Sequence, residues 1–335
     1  MIKSLVTGGA GFIGSHVVDE LINMGHQVFV LDDFSGGFRE NIHKDACIVE
    51  GSITNHVLVN SLFKREKFNY VFHLGAYAAE GLSHFIKRFN YNNNMIGSVN
   101  LINASINSES VQCFVFTSSI AVYGSNPLPL TEDLTPEPED PYGIAKFAVE
   151  LDLKESYKIF GLKYIIFRPH NVYGERQNIG DRYRNVIGIF MNQILQNKPM
   201  TIFGDGKQTR SFTYISDVSP IIAHSIMRDE AYNQTFNIGA EQPYSVLELA
   251  HEVANAMGVI PNIQYLDARK EVVHAFPSHK KANLIFNDLN KKVSLKNGIQ
   301  AMAVWAKKVG CKQGPKFKEI EVSKNMPLSW HSTDN

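Results

Sequence analysis

Along the first half of the chain, short apolar runs alternate with stretches in which apolar residues recur every three or four positions. Residues 2–7, 27–31, 46–49, 70–74, 111–116 and 162–167 read as short strands, buried on both faces. Between them, helical spacing carries Val17, Val18, Leu21 and Ile22 to a stop at Gly25. The same spacing predicts helices over 57–64, 94–105 and 142–160, the last ended by Gly161. Strands that alternate with helices predict an α/β fold with a doubly wound parallel sheet of the Rossmann kind. After about residue 170 the rhythm breaks. Residues 171–185 are polar and loop-like, 186–196, 246–257 and 299–309 are helical, and 201–203 and 235–238 are short strands. This predicts a smaller mixed α/β lobe over the carboxyl ends of the large sheet. The expected division is 1–170, with returning segments about 211–240, for the sheet domain, and 171–210 with 241–335 for the lobe. Beyond about 311 only Trp330 stands out.

Composition narrows the function classes. Lys plus Arg and Asp plus Glu are 33 each, so the formal net charge is zero. That gives no electrostatic reason to expect nucleic acid or an anionic membrane as partner. Cys47, Cys113 and Cys311 are odd in number and far apart, and the twelve histidines show no metal-binding spacing, so no disulfide framework and no metal are expected. No run approaches a membrane span and no leader pattern precedes the first strand, so a cytoplasmic protein is the expectation.

Two stretches carry candidate chemistry. The first is Gly8-Gly9-Ala10-Gly11-Phe12-Ile13-Gly14, set between a strand and a helix, with Asp32 at the end of the next strand. Glycines let such a turn form and bring backbone close to a pyrophosphate at the helix N-terminus. An acid at the end of the second strand suits ribose hydroxyls and repels a 2′-phosphate, so NAD is expected rather than NADP. The second stretch holds Ser119 beyond the fifth strand, then Tyr142 and Lys146 four residues apart on one predicted helix. An ammonium beside a phenol stabilises the phenolate, which predicts a lowered Tyr142 pKa and a general base for a hydroxyl proton. Ser119 would hydrogen-bond the same oxygen. His73, at the end of the fourth strand, is expected to pack rather than react.

Five motifs then occur in order: Thr-Gly-Gly-Ala-Gly-Phe-Ile-Gly at 7–14, Ser-Ser-Ile-Ala-Val-Tyr-Gly at 118–124, Tyr-Gly-Ile-Ala-Lys at 142–146, Arg-Pro-His-Asn-Val-Tyr-Gly at 168–174, and Gly-Asp-Gly-Lys-Gln-Thr-Arg-Ser-Phe at 204–212. Together they resemble the extended short-chain dehydrogenase/reductases that act on nucleotide sugars, and among them the UDP-glucose 4-epimerases, over residues 1 to about 310. The resemblance implies a catalytic Ser119, Tyr142 and Lys146. It implies NAD contacts from Gly8, Gly11, Phe12, Ile13, Gly14 and Asp32, from Ser52 and Ile53, from Leu74, Gly75 and Ala76, and from Asn94 and Ser118. It implies sugar-nucleotide contacts from His170, Asn171, Asn185, Phe203, Arg210 and Glu271, besides Ser119 and Tyr142. Ser52 stands where an aspartate often touches adenine. His170 replaces a usual aromatic. Ala275 falls at a position resembling a gate on the pocket, where a small residue would admit an N-acetyl group. Members of this family often pair as homodimers through two helices, here 94–105 and 142–160.

The residues after Ser119 favour one reaction. Dehydratases carry an Asp-Glu pair where this chain has Ile120-Ala121, and neither residue moves a proton. Decarboxylases of UDP-glucuronate usually keep an acid at the second position, which is Ala121 here. The expectation is 4-epimerisation of a UDP-sugar through a 4-keto intermediate, with glucose/galactose first and the N-acetylhexosamine pair also open. UDP-glucuronate is the alternative, should Arg88, Arg182 or Arg184 meet its carboxylate. A non-catalytic NAD sensor is the alternative of another class, and a one-way reductase would need an exchangeable NADPH that Asp32 disfavours.

Overall fold

The computed structural model describes residues 1–268, 274–313, 317, 319–327 and 330. The first half runs β1 (Lys3–Thr7), α1 (Phe12–Asn23), β2 (Gln27–Asp32), β3 (Cys47–Glu50), α2 (His56–Glu66) and β4 (Tyr70–His73). It continues through α3 (Glu80–Ser83), α4 (Lys87–Tyr91), α5 (Gly97–Ser108), β5 (Cys113–Thr117), α6 (Pro141–Phe160) and β6 (Tyr164–Pro169). The second half runs β7 (Val172–Tyr173), α7 (Val186–Leu195), β8 (Met200–Phe203), β9 (Thr209–Ser211), β10 (Thr213–Tyr214), α8 (Ser219–His224) and β11 (Gln234–Ile238). It closes with β12 (Pro243–Ser245), α9 (Val246–Met257), β13 (Ile263–Leu266), β14 (His274–Ala275), α10 (Lys280–Phe286) and α11 (Leu295–Val309).

Among the described residues, seven strands form one parallel sheet in the order β11-β6-β5-β4-β1-β2-β3. The chain reverses direction between β1 and β4, the switch point at which such sheets open a ligand crevice. Period-two alternation supplies both faces. Val6, Val30 and Val115 point to the side covered by α1 and α8, and Leu5, Phe29, Phe114 and Phe116 to the side covered by α2, α5 and α6. The expected doubly wound sheet is therefore present. A second core lies between α7, α9 and α11, with Phe190, Met191, Leu249, Val253 and Met302 buried in it.

Three local differences from the sequence reading matter. The long helix starts at Pro141, one residue early, because the Asp140 carboxylate accepts from Gly143 N at 2.9 Å and proline fits the first turn. The helix expected to begin at Asn94 is reached through a wide turn, Asn92–Ile96, that joins α4 to α5. Residues 280–286, assigned by sequence to the smaller lobe, cross back to the large sheet. There Phe286 is fully buried, edge-on to Phe236 at 5.3 Å.

One buried ion pair ties α6 to the sheet. Glu150, two turns along from Tyr142, accepts from Arg168 Nε at 2.9 Å and NH2 at 2.5 Å, with both side chains essentially out of water. Ser118 Oγ donates to the same carboxylate at 2.5 Å. The Arg168 guanidinium lies 4.6 Å from the Tyr123 ring centroid. Removing one partner of such a pair leaves an uncompensated buried charge. Glu150→Gln is expected to lower the unfolding free energy by about 3–5 kcal/mol, read as a shift of the urea midpoint. The double variant Glu150→Met with Arg168→Met should lose much less.

Candidate active site

The cleft opens at the carboxyl ends of β1, β4 and β5. Gly8 adopts a φ of 70°, and a Cβ there would stand 2.7 Å from Gly75 Cα. A Cβ on Gly14 would stand 2.1 Å from Gly8 O. The turn is therefore closed to side chains, and it delivers the N-terminus of α1, which Gly11 leaves without a side-chain cap. The first-turn amides have no partner within the helix and carry the positive end of its dipole. That cradle fits a dinucleotide pyrophosphate. Asp32 lies beside it, fixed by Ala10 N and Phe34 N, each at 2.9 Å. Burial pushes its carboxyl pKa up, and these two amides oppose the shift.

Gly8, Gly11, Phe12, Ile13, Gly14 and Asp32 all line this cleft. Its far wall carries Ile53, Leu74, Gly75 and Ala76, then Ser118, Ser119, Tyr142 and Lys146, and finally His170, Asn171 and Asn185. The sequence reading missed Tyr77 and Phe89, which line it too. Arg184, which the sequence offered only as a carboxylate partner, also lines it. The Arg184 guanidinium sits 5.1 Å from the Tyr77 ring centroid and is paired with Asp181 at 2.7 Å.

Other expected contacts lie elsewhere. The Ser52 hydroxyl is turned to Thr54 Oγ1 at 2.9 Å, away from the cleft wall. Asn94 is buried behind the wall: its Oδ1 accepts from Tyr77 N, and its Nδ2 donates to Tyr77 O and Asn90 Oδ1. It thereby holds the loop after β4 at Tyr77. Phe203 ends β8 and Arg210 lies in β9, where its NH1 donates to Thr209 O at 2.8 Å. Neither is on the wall of this cleft. Glu271 lies outside the described residues, as does the side chain of Ala275. Arg88 and Arg182 are exposed and off the wall. His73 is buried between Thr7 Oγ1 at 2.7 Å and Ser98 Oγ at 2.8 Å.

Tyr142 and Lys146 share one face of α6, and both are almost wholly buried. Lys146 Nζ donates to Thr117 O at 2.8 Å and stands 5.8 Å from the Tyr142 ring centroid. Ser119 lines the same cleft, and its Oγ accepts from Ala121 N at 3.1 Å. The expected fall of the Tyr142 pKa is not produced by the protein alone. Burial pushes the phenol up, and the nearby Ser119 hydroxyl only partly opposes it. Burial also pushes Lys146 down to about 7, with Glu150 pulling the other way. Desolvation disfavours both charged forms, so added positive charge is what the phenolate requires.

His170 is spoken for within the protein. Its Nδ1 faces the Ser211 carbonyl at 3.1 Å, which can only accept, so Nδ1 carries the proton. Nε2 then accepts from His279 Nε2 at 3.0 Å, and His279 Nδ1 is left buried with no hydrogen-bond partner. Burial pushes the two rings down to about 4 and about 3 respectively, so both are neutral at physiological pH.

Lys146 is held below its ordinary 10.5 in the folded state. The unfolded chain therefore binds the additional proton between about pH 7 and 10.5, and stability rises with pH through that window. The penalty is fully present below pH 7. Lys146→Met should raise stability at pH 6.5 by about 2 kcal/mol, net of the lost Thr117 bond. The gain should shrink towards pH 10 in thermal melts run as a pH series.

The comparisons agree with this geometry. Residues 4–239 match the model of the NAD dependent epimerase/dehydratase family. A UDP-glucose 4-epimerase from Thermotoga maritima, solved with UDP-glucose, superposes with a TM-score of 0.87 at 35% identity, covering 92% of this chain and 99% of that one. A UDP-N-acetyl-alpha-D-glucosaminuronate decarboxylase of Bacillus cytotoxicus is 31% identical, covering 92% of this chain and 98% of its own. A UDP-glucuronic acid 4-epimerase from Bacillus cereus, solved with UDP-glucuronic acid and NAD, has a TM-score of 0.83 at 28% identity, covering 92% of this chain and all of that one. With the glycine cradle, Asp32 and the Ser119, Tyr142 and Lys146 set in one cleft, the chain belongs to the NAD-dependent epimerase/dehydratase family and is an enzyme acting on nucleotide sugars.

Proposed function

We propose that the enzyme is a UDP-sugar 4-epimerase, acting on UDP-glucose and UDP-galactose. The observation that carries this reading is that Ser119, Tyr142 and Lys146 line one cleft with the glycine cradle, Ser119 being followed by Ile120 and Ala121. A base and a hydroxyl are present for the C4 oxygen. The adjoining turn offers no acid to expel a C6 hydroxyl.

NAD, when bound, supplies the acceptor for the C4 hydrogen and a positive ring that lowers the Tyr142 pKa. Tyr142 takes the C4 hydroxyl proton. Ser119 holds the same oxygen through the change from alcohol to ketone. Lys146, anchored on Thr117 O, places its amino group near the Tyr142 and Phe116 rings, where its protonated form would favour the phenolate. Return of the hydrogen to the opposite face of the 4-keto sugar, with Tyr142 now the acid, inverts C4. The cofactor ends each turnover as it began. Asp32 favours NAD at the ribose. Binding of the nucleotide end, which both sugar orientations share, would hold the intermediate without preferring either product.

Arg184 supports a second reading, 4-epimerisation of UDP-glucuronate, because it is the arginine of the expected three that lines the cleft. Its pairing with Asp181 weighs against this, since the charge is already met. We also propose a homodimer through α5 and α6. Ile144 and Leu151 on α6, and Ile96 just before α5, are exposed by 43%, 47% and 48%, an apolar surface along the helices expected to pair.

Purified enzyme without added cofactor should convert UDP-glucose to an isomer of unchanged mass, resolved chromatographically. Tyr142→Phe should lower kcat about 10³-fold while NAD stays bound. Loss of water or carbon dioxide would overturn the assignment, and faster turnover of UDP-glucuronate would favour the second reading. Leu151→Glu should convert the dimer to monomer in light scattering; unchanged mass would refute that interface.

A further inference from the structure

The segment after α11 was silent in sequence, yet it touches the cleft wall. At its start Lys312 N and O bond the Asn192 side chain at 2.9 and 3.0 Å, pinning it to α7 of the smaller lobe. The Lys312 ammonium lies 5.7 Å from the Phe38 ring centroid, on the loop that docks against the glycine turn through Phe38 N and Ala10 O. Farther on, the Phe317 ring packs on Phe89 at 4.8 Å and on Tyr77 at 5.5 Å. Both of those rings line the cleft, and Phe317 stands behind them.

Glu321 then does what α4 cannot do for itself. Ile86, before α4, gives no side-chain cap, and the Glu321 carboxylate accepts from Arg88 N at 2.8 Å and Phe89 N at 2.9 Å. An acid there also suits the helix dipole. The backbone amides of Glu321 and Val322 bond Phe85 O. Trp330 closes the path against Tyr183 at 5.4 Å, beside Arg184. The comparisons above cover nearly all of each relative but not all of this chain, and the small remainder matches this segment in size.

We propose that Lys312, Phe317, Glu321 and Trp330, beyond α11, act as a strap that sets the position of Tyr77 and Phe89, and through them the affinity for the sugar end of the substrate. Phe317, Glu321 and Trp330 are positioning residues. The physical reason is that α4 is a short helix whose one cap comes from the strap, and Phe89 stands in its middle. Without Phe317 the two wall aromatics lose the face that holds them inward.

This rests on the reading of the enzyme as a UDP-sugar epimerase, so the test has an arm that needs no substrate. Amide hydrogen exchange at Tyr77, Arg88 and Phe89 should quicken at least tenfold in Glu321→Ala and in the chain ended after Gln313. In turnover, Phe317→Ala should raise KM for UDP-glucose about tenfold with kcat within about twofold, and Phe317→Tyr should restore it. Unchanged exchange in the shortened chain would overturn the strap. So would a fall in kcat at unchanged KM, the sign of general loosening. A wild-type enzyme that exchanges as expected but converts no UDP-glucose would instead sink the functional reading and leave the strap standing. Should the shortened chain fail to fold, Phe317→Ala and Glu321→Ala decide the matter.

Discussion

Everything catalytic here hangs from the ion pair between Glu150 and Arg168 in the dry interior beneath α6. A helix packed by apolar contacts alone can slide or rotate at small cost. A bidentate carboxylate–guanidinium pair in low dielectric cannot, because any slip exposes a buried charge to nothing. Tyr142, Lys146 and Glu150 follow one another at four-residue steps, so fixing the last fixes the face presented by the other two. The same carboxylate takes the Ser118 hydroxyl. That ties α6 to the turn just beyond β5, where Ser119 stands. One pair thus links the helix that carries Tyr142 and Lys146 to the turn that carries Ser119.

The burial that makes this rigidity possible also sets the chemistry. Both Tyr142 and Lys146 are driven towards their neutral forms. In water this would be a poor base site. Both shifts act in one direction, so a further positive charge in the cleft would favour the phenolate, and the family's oxidised cofactor brings one. The arrangement lowers the stability of the fold, since Lys146 is held in an environment that resists its charge.

The sheet and the glycine cradle were legible because they obey local rules. Strands buried on both faces read as apolar runs, and a turn that must admit backbone at 2.7 Å reads as glycine. Lys146 was legible from its spacing, but its pKa was not, since desolvation depends on what packs around the ring from residues far away in sequence. Glu150 and Arg168 were missed although the signal was there: an acid one turn beyond Lys146, and an arginine inside an otherwise apolar strand. The resemblance matched Asn94 to an asparagine that is usually structural or part of a proton relay, and here it ties Tyr77 to Asn90, while the Ser52 hydroxyl bonds Thr54 Oγ1. The strap was invisible because its contacts span 120 residues or more, the Glu321–Arg88 bond 233, and no periodicity records a glutamate that caps a distant helix.

These observations divide the cleft into two kinds of wall. Tyr142 and Lys146 stand on α6, and Ser119 on the turn just beyond β5, where hydrogen-bonded backbone and the buried ion pair hold them. Tyr77, Phe89 and Arg184 stand on short helices and loops held from outside by side chains such as Asn94, Asp181 and Phe317. The irregular wall is the part of the cleft that can shift without disturbing Ser119, Tyr142 or Lys146. Proteins of similar fold include a UDP-glucose 4-epimerase, a UDP-glucuronic acid 4-epimerase and a decarboxylase of an N-acetylated uronate, so one frame serves sugars that differ at C2 and C6.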